Sequence, residues 1–225
     1  AQSARLLEGY AAEFSPHRVT VVTPPWNFPV AIPTGGIAAA LAAGSAVIIK
    51  PAPQVVHCAK IVVEAFRTAL ESQGLDPDLV QLVFTDESDA GRALISHADV
   101  DAVILTGASA TGQLFRSWDP QMNIMAETSG KNALIITPAA DPDLAIDDLY
   151  NSAFGHSGQK CSAASLVIFV GAAGKSERLR TQLLDAVKTL KPGPGFDITT
   201  TMNGLAEEPS EKLLRGLTQL EPGEK

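Results

Sequence analysis

Short apolar runs alternate along this chain with longer stretches in which apolar residues recur every three or four positions. The runs at 17–23, 45–49, 79–84 and 101–105 are bounded by glycine, proline or polar residues, which predicts strands. Helix signatures lie between them. Residues 33–43 are mostly small, with Ile37 and Leu41, and stop at Gly44; they predict a thin helix able to pack close to a neighbour. Residues 55–73 set Val56, Cys58, Ala59, Val62, Val63 and Phe66 on one face, so Cys58 reads as core and His57 as an ordinary helix residue. Asp86 or Ser88 can cap a helix reaching 97, and another runs from the Gly107–Gly112 stretch to Trp118-Asp119-Pro120. Strand and helix thus alternate four times, which predicts an α/β fold: a parallel sheet with helices on both faces.

The pattern then changes. Residues 122–126 and 132–137 read as strands joined by Glu127-Thr128-Ser129-Gly130-Lys131, Asp141 opens a helix to about 153, and 164–170 is a strand. An amphipathic helix over 176–190 follows. The tail from Lys191, with Pro192, Gly193, Pro194 and Gly195, carries two short segments and no recognisable chemistry. Residues 4–14 read as the end of a helix. Two units are expected, over 1–130 and 131–225.

Composition narrows the function classes. Of 225 residues, 45% are hydrophobic and 19% charged, ordinary for a globular protein, and the net charge of −8 disfavours nucleic acid or anionic membrane as a partner. Two cysteines make no disulfide framework, which points to a reducing, cytoplasmic setting. Neither has metal-ligand spacing to a second cysteine or histidine beyond adjacent His57-Cys58, so no metal is expected. No apolar run reaches the roughly 18 residues of a membrane span. The first residues lack a methionine and a signal-peptide pattern, and the chain is expected to be a piece of something longer.

Chemistry concentrates in the loops. In Gly155-His156-Ser157-Gly158-Gln159-Lys160-Cys161-Ser162, a cysteine follows small and polar residues with a cation beside it, a setting that can lower a thiol pKa and expose a nucleophile. A cysteine that merely opens a strand is the other reading of the same residues. Parallel sheets bind ligands at the carboxyl ends of their strands. Here those ends supply Trp26 and Asn27 in a proline-stiffened loop, Lys50, and a helix start at Gly107–Gly112 suited to a phosphate. The Gly-x-Gly-x-x-Gly fingerprint is absent. Glu127, at a strand end, is a candidate general base or a solvated turn carboxylate. Gly171-Ala172-Ala173-Gly174-Lys175-Ser176 lacks the Walker spacing, because Phe169 stands where glycine belongs. Gly155-His156-Ser157-Gly158-Gln159 misses the last glycine of a serine nucleophile elbow and follows a helix, leaving a serine hydrolase as a weak alternative.

Taken in order, Pro25-Trp26-Asn27-Phe28-Pro29, Lys50-Pro51-Ala52, Thr106-Gly107, Glu127-Thr128-Ser129-Gly130-Lys131 and Gly158-Gln159-Lys160-Cys161 resemble the aldehyde dehydrogenase superfamily over about residues 15–205. The versions here look most like Δ1-pyrroline-5-carboxylate (L-glutamate γ-semialdehyde) dehydrogenases, including those of PutA-type proline-utilisation enzymes. The resemblance implies a Rossmann-type NAD(P)-binding domain over 1–130 and the beginning of a second, catalytic α/β domain over 131–225. It implies Cys161 as nucleophile, Asn27 and the Cys161 N–H as oxyanion donors, and Glu127 as the base that activates water. Trp26, Lys50, Thr106, Gly107 and Ser109 fall on cofactor positions, and Phe28 and Ser162 on substrate positions. NAD is the implied cofactor, with NADP possible, and a small-molecule aldehyde the implied substrate. The parent is expected to form a homo-oligomer, with a proline dehydrogenase domain fused in some relatives.

Three positions depart from the family pattern. Pro53 replaces a glutamate that helps select NAD, Thr85-Asp86-Glu87-Ser88 replaces a glycine-led loop, and Ala108 replaces a serine. A family member is about twice as long, so this chain alone is expected to expose apolar surface and to have little or no activity. A noncatalytic binding or structural module is the competing reading.

Overall fold

The computed structural model describes residues 15–85 and 88–223. The helix expected over 4–14 and the Asp86 cap lie outside them. The chain forms two compact units, Ala1–Ser129 and Gly130–Lys225.

The first unit is built on five parallel strands: β1 (Val19–Thr23), β2 (Ala46–Ile49), β3 (Val80–Leu82), β4 (Ala102–Gly107) and β5 (Ile124–Thr128), in spatial order β3-β2-β1-β4-β5. Alternate residues of each inner strand point to opposite faces, which explains why these runs are apolar throughout. Val22, Val47 and Ile49 meet helices α1 (Ala31–Ala42) and α2 (Val56–Ser72) through Ile37, Ala40, Ala59, Val62 and Val63. Their neighbours Val21, Val103 and Leu105 meet the other pair, α3 (Asp89–Ile95) and α4 (Ser109–Trp118), through Ile95 and Phe115. Helices therefore cover both faces. The small residues of α1 allow the close approach expected of them: a Cβ on Gly36 would stand 2.8 Å from a Val22 methyl. Past the end of α1, Gly44 takes φ +87°, a left-handed conformation that glycine adopts without steric cost.

At the amino edge of this sheet, Arg18 clamps β1 to β4. Its N–H donates to Asp101 Oδ2 at 2.6 Å and its guanidinium to Oδ1 at 3.0 Å. Those hydrogen bonds, with the guanidinium's charge, hold the Asp101 carboxyl down at about 2.

The second unit holds two parallel strands, β6 (Ala133–Ile136) and β7 (Leu166–Phe169), packed on α5 (Pro142–Phe154) and α6 (Glu177–Lys188). Asp141 caps α5 by accepting from the N–H of Asp143 and Leu144, and Ser176 caps α6 by accepting from Leu179. The Gly171–Lys175 stretch is the short turn between β7 and α6, as its failed Walker spacing implies. Ile136, Ile146, Leu149, Ala173 and Leu179 form the core on one side of the strands. On the other side Ala133, Ile135, Leu166 and Ile168 are exposed, Ile135 by 62%. The tail adds a bridge-length pair, β8 (Pro192–Gly193) with β9 (Met202–Asn203), and helix α7 (Glu211–Thr218), which buries none of its residues.

Two element boundaries differ from the sequence reading. Thr106 and Gly107 belong to β4, and Glu127 and Thr128 to β5, because Thr106 pairs with Glu127 and Gly107 with Thr128. Backbone pairing carries the ladder two residues past the apolar side chains. Cys58 is half-buried at the margin of the α2 core rather than inside it.

Candidate functional site

In the first unit, parallel strands bring their carboxyl ends to one edge, and the strand order reverses between β1 and β4. That reversal opens a crevice where the loops leave in opposite directions. Thr23 ends β1, and Trp26, Asn27 and Phe28 follow it, half-buried in the proline-stiffened loop that leads to α1. Lys50 follows β2 and donates its N–H to Val22 O at 2.9 Å, which fixes its backbone beside β1. Thr106 and Gly107 end β4, and Ser109 begins α4. Glu127 lies beside Thr106 on β5, exposed. The fold thus gathers every first-unit candidate at the same edge.

The donor set at that edge fits a dinucleotide. Helices α1 and α4 start at Val30 and Ala108 with no side-chain cap, so their first N–H groups have no hydroxyl or carboxylate of the cap residue to satisfy them. Lys50 adds a cation. The Ser109 hydroxyl is differently engaged: it donates to Ser129 O at 2.9 Å, while Ser129 N–H donates back to Gly107 O at 2.9 Å. Ser109 therefore ties the start of α4 to the exit of β5, and its backbone N–H is what it offers an anion.

In the second unit, α5 ends at Phe154 and the chain enters a left-handed stretch. His156 has φ 56°, Ser157 φ 57° and Gly158 φ 69°. For two non-glycine residues this costs about 1–2 kcal/mol each, so other contacts must hold it. They come from the tail. Ser157 Oγ donates to Asn203 O, Gln159 Nε2 to Gly204 O at 3.4 Å, and Gln159 Oε1 accepts from Ala206 N–H at 3.0 Å. With its proton on a backbone carbonyl, Ser157 is engaged as a structural hydroxyl, which removes what support the elbow-like spacing gave a serine nucleophile.

Next comes a tight turn, closed by Ala163 N–H donating to Lys160 O at 3.1 Å. Cys161 and Ser162 are its two central residues, and both are exposed. Asn132 donates from Nδ2 to Cys161 O at 2.5 Å and to Ala163 O at 3.1 Å, and Ala164 N–H reaches Ser152 Oγ on α5 at 3.1 Å. The cysteine is thus presented on an anchored turn instead of being packed at the start of β7.

Sequence reading missed Asn132 and the 203–206 segment. Their partners lie 29 to 47 residues away, and an amide side chain gives no periodicity to detect. The one available hint was the run of hydrogen-bonding side chains at Ser157 and Gln159 with no apolar neighbours to explain it.

Comparison with known proteins agrees with this arrangement. The pattern of the aldehyde dehydrogenase family matches residues 10–223. The structure of Proline Utilization A (PutA) from Corynebacterium freiburgense superposes with a TM-score of 0.86 at 59% identity, covering 98% of this chain and 22% of that one. Betaine aldehyde dehydrogenase from Staphylococcus aureus, solved in complex with NAD+, gives a TM-score of 0.78 at 31% identity over 86% of this chain and 38% of that one. The 1-pyrroline-5-carboxylate dehydrogenase of Staphylococcus epidermidis is 39% identical over 163 residues, 69% of this chain and 31% of the relative. The chain therefore spans well under half the length of each of these proteins. On the family match across nearly its whole length, the chain belongs to the aldehyde dehydrogenase family.

Proposed function

We propose that this chain is the cofactor-binding and thiol-bearing part of an NAD(P)-dependent enzyme that oxidises L-glutamate γ-semialdehyde to L-glutamate in proline catabolism. The observation that carries the proposal is Cys161 exposed on an anchored turn, in a chain 59% identical to a proline-utilisation enzyme. The name of the Staphylococcus epidermidis relative supports the same substrate.

Cys161 is the nucleophile: its thiolate bonds to the aldehyde carbon. The oxyanion that forms takes hydrogen bonds from the Asn27 amide and the Cys161 N–H, the kind of donors this charge requires. A nicotinamide nucleotide, when bound, supplies the two-electron acceptor for this carbon. Cys161 then carries the acyl group as a thioester, and Glu127 takes a proton from the water that hydrolyses it. Trp26, Lys50, Thr106, Gly107 and the Ser109 N–H would hold the cofactor, Lys50 supplying a cation for its ribose and the α4 start N–H donors for its diphosphate. Phe28 and Ser162 contact the substrate. The intact gene product works as a cytoplasmic homo-oligomer, joined to a proline dehydrogenase domain as in PutA-type enzymes, and the 225-residue chain by itself has little or no turnover.

The test is steady-state oxidation by the full-length gene product. NAD+ reduction with L-glutamate γ-semialdehyde should exceed that with betaine aldehyde, and Cys161→Ser should lower kcat by roughly a thousandfold or more. Undiminished turnover in that variant would sink the nucleophile assignment, and a preference for betaine aldehyde would sink the substrate.

A further inference from the structure

The side-chain amide of Asn132 binds two carbonyls of a single turn. An amide nitrogen has two hydrogens held at a fixed angle. One goes to the Cys161 carbonyl at 2.5 Å and the other to the Ala163 carbonyl at 3.1 Å. The turn is already closed by Ala163 N–H on Lys160 O at 3.1 Å. Cys161 is thus tied through its own carbonyl, and the chain after it is tied at Ala163. Rotation about the Cα–C bond of Cys161 would break the first bond. Fixing that rotation fixes the direction of the Cα–Cβ bond and leaves only side-chain rotation to the thiol.

The backbone of Asn132 does a separate job. Its carbonyl accepts from the N–H of Ser165 and Leu166 at 3.0 and 3.1 Å, at the start of the β6–β7 pairing. Any residue at 132 keeps those two bonds. The side chain's two bonds go to the cysteine turn alone, so substitution can separate the sheet from the thiol.

We infer that Asn132 is a positioning residue for the chemistry of Cys161, acting by locking the turn on which the thiol is carried. This rests on the reading of Cys161 as the nucleophile. The locked turn presents the sulfur in one orientation.

The experiment compares wild type with Asn132→Ala and with Asn132→Leu, which fills similar volume without a donor. Iodoacetamide labelling of each cysteine is followed by mass spectrometry from about pH 6 to about pH 10, across the free-thiol range. The expected result is Cys161 labelling slowed by roughly threefold or more near neutrality, while Cys58 in the other unit is unchanged. In the full-length gene product, kcat for aldehyde oxidation should fall about 10- to 100-fold with KM little altered. A Cys161 profile matching wild type in a folded variant would overturn the inference. So would equal gains in reactivity at both cysteines in both variants, which would make Asn132 a folding residue only. Wild-type protein that oxidises no aldehyde would instead count against the proposed function, and the labelling result would still decide the role of Asn132.

Discussion

The first unit covers both faces of its inner strands with its own helices, whereas the second covers one face of a strand pair and leaves the other to solvent. Both use parallel strands joined by helical crossovers, so the local rules are the same in each. The difference lies in how many elements the chain supplies. Among the described residues, five strands and four helices let the first unit bury both faces of its inner strands, while edge strand β5 stays largely exposed. Val21 and Val22 lie within separate cores on opposite sides. Two strands and two packed helices bury Ile136 and expose its neighbour Ile135. Parallel sheets are stable when both faces are covered. The candidate residues divide along the same line: Trp26, Asn27, Lys50 and Gly107 belong to the unit with two covered faces, and the Cys161 turn to the half-covered one.

Substitutions can sharpen or break this contrast. The largest effect is expected for Ile37→Ala, where a fully buried side chain packs α1 on the sheet; it should cost about 2–5 kcal/mol, read by urea unfolding of the first unit. A loss well under that range would mean the first unit is not the better packed of the two. Gly36→Ala should cost about 1–3 kcal/mol, because the added methyl meets Val22 at 2.8 Å and α1 must move outward. Hydrogen exchange should show that loss in peptides from β1 and α1 and none in α5.

The acid response comes next. Asp101 has a folded pKa of about 2 against an ordinary 3.8, so its carboxylate stabilises the first unit fully above pH 3.8. That contribution fades as pH falls through about 2. Asp101→Asn should flatten the stability–pH curve of the first unit between those values, as followed by circular dichroism. An unchanged curve would dissociate the Arg18 clamp from stability. The smallest effect is predicted for Ile135→Ser, on the uncovered face: a change within about 0.5 kcal/mol, accompanied by less self-association in sedimentation. A stability loss comparable to Ile37→Ala would show that this face is covered after all, and the contrast would fall.

How much of this was legible in the sequence follows from what each feature depends on. The strands of the first unit announce themselves because both faces are buried, giving uninterrupted runs such as Val47, Ile48 and Ile49. The thin helix was legible in its alanines and glycines. Thr106 and Glu127 were placed outside their strands because they are held there by backbone pairing, which polar side chains do not advertise. The alternation of strands and helices predicted a parallel sheet with helices on both faces, but the spatial order β3-β2-β1-β4-β5 was not read from the sequence. The candidate residues were legible because their types are unusual in loops: Trp26 and Asn27 among prolines, and Cys161 after Gly158 and Gln159. What held Cys161 in place was not, since Asn132 and Asn203 act through long-range hydrogen bonds that leave no sequence pattern.

One of those bonds has a consequence in time. Ser157 meets its acceptor on Asn203, 46 residues later in the chain. A ribosome adding ~5–20 residues per second needs roughly 2–10 s to make that stretch. Before the end of that interval Cys161 and the residues of α5, β7 and α6 have all been made, while the left-handed turn ahead of the cysteine still lacks its Asn203 acceptor. The nascent chain thus passes through a stage in which the sulfur is accessible but not yet set.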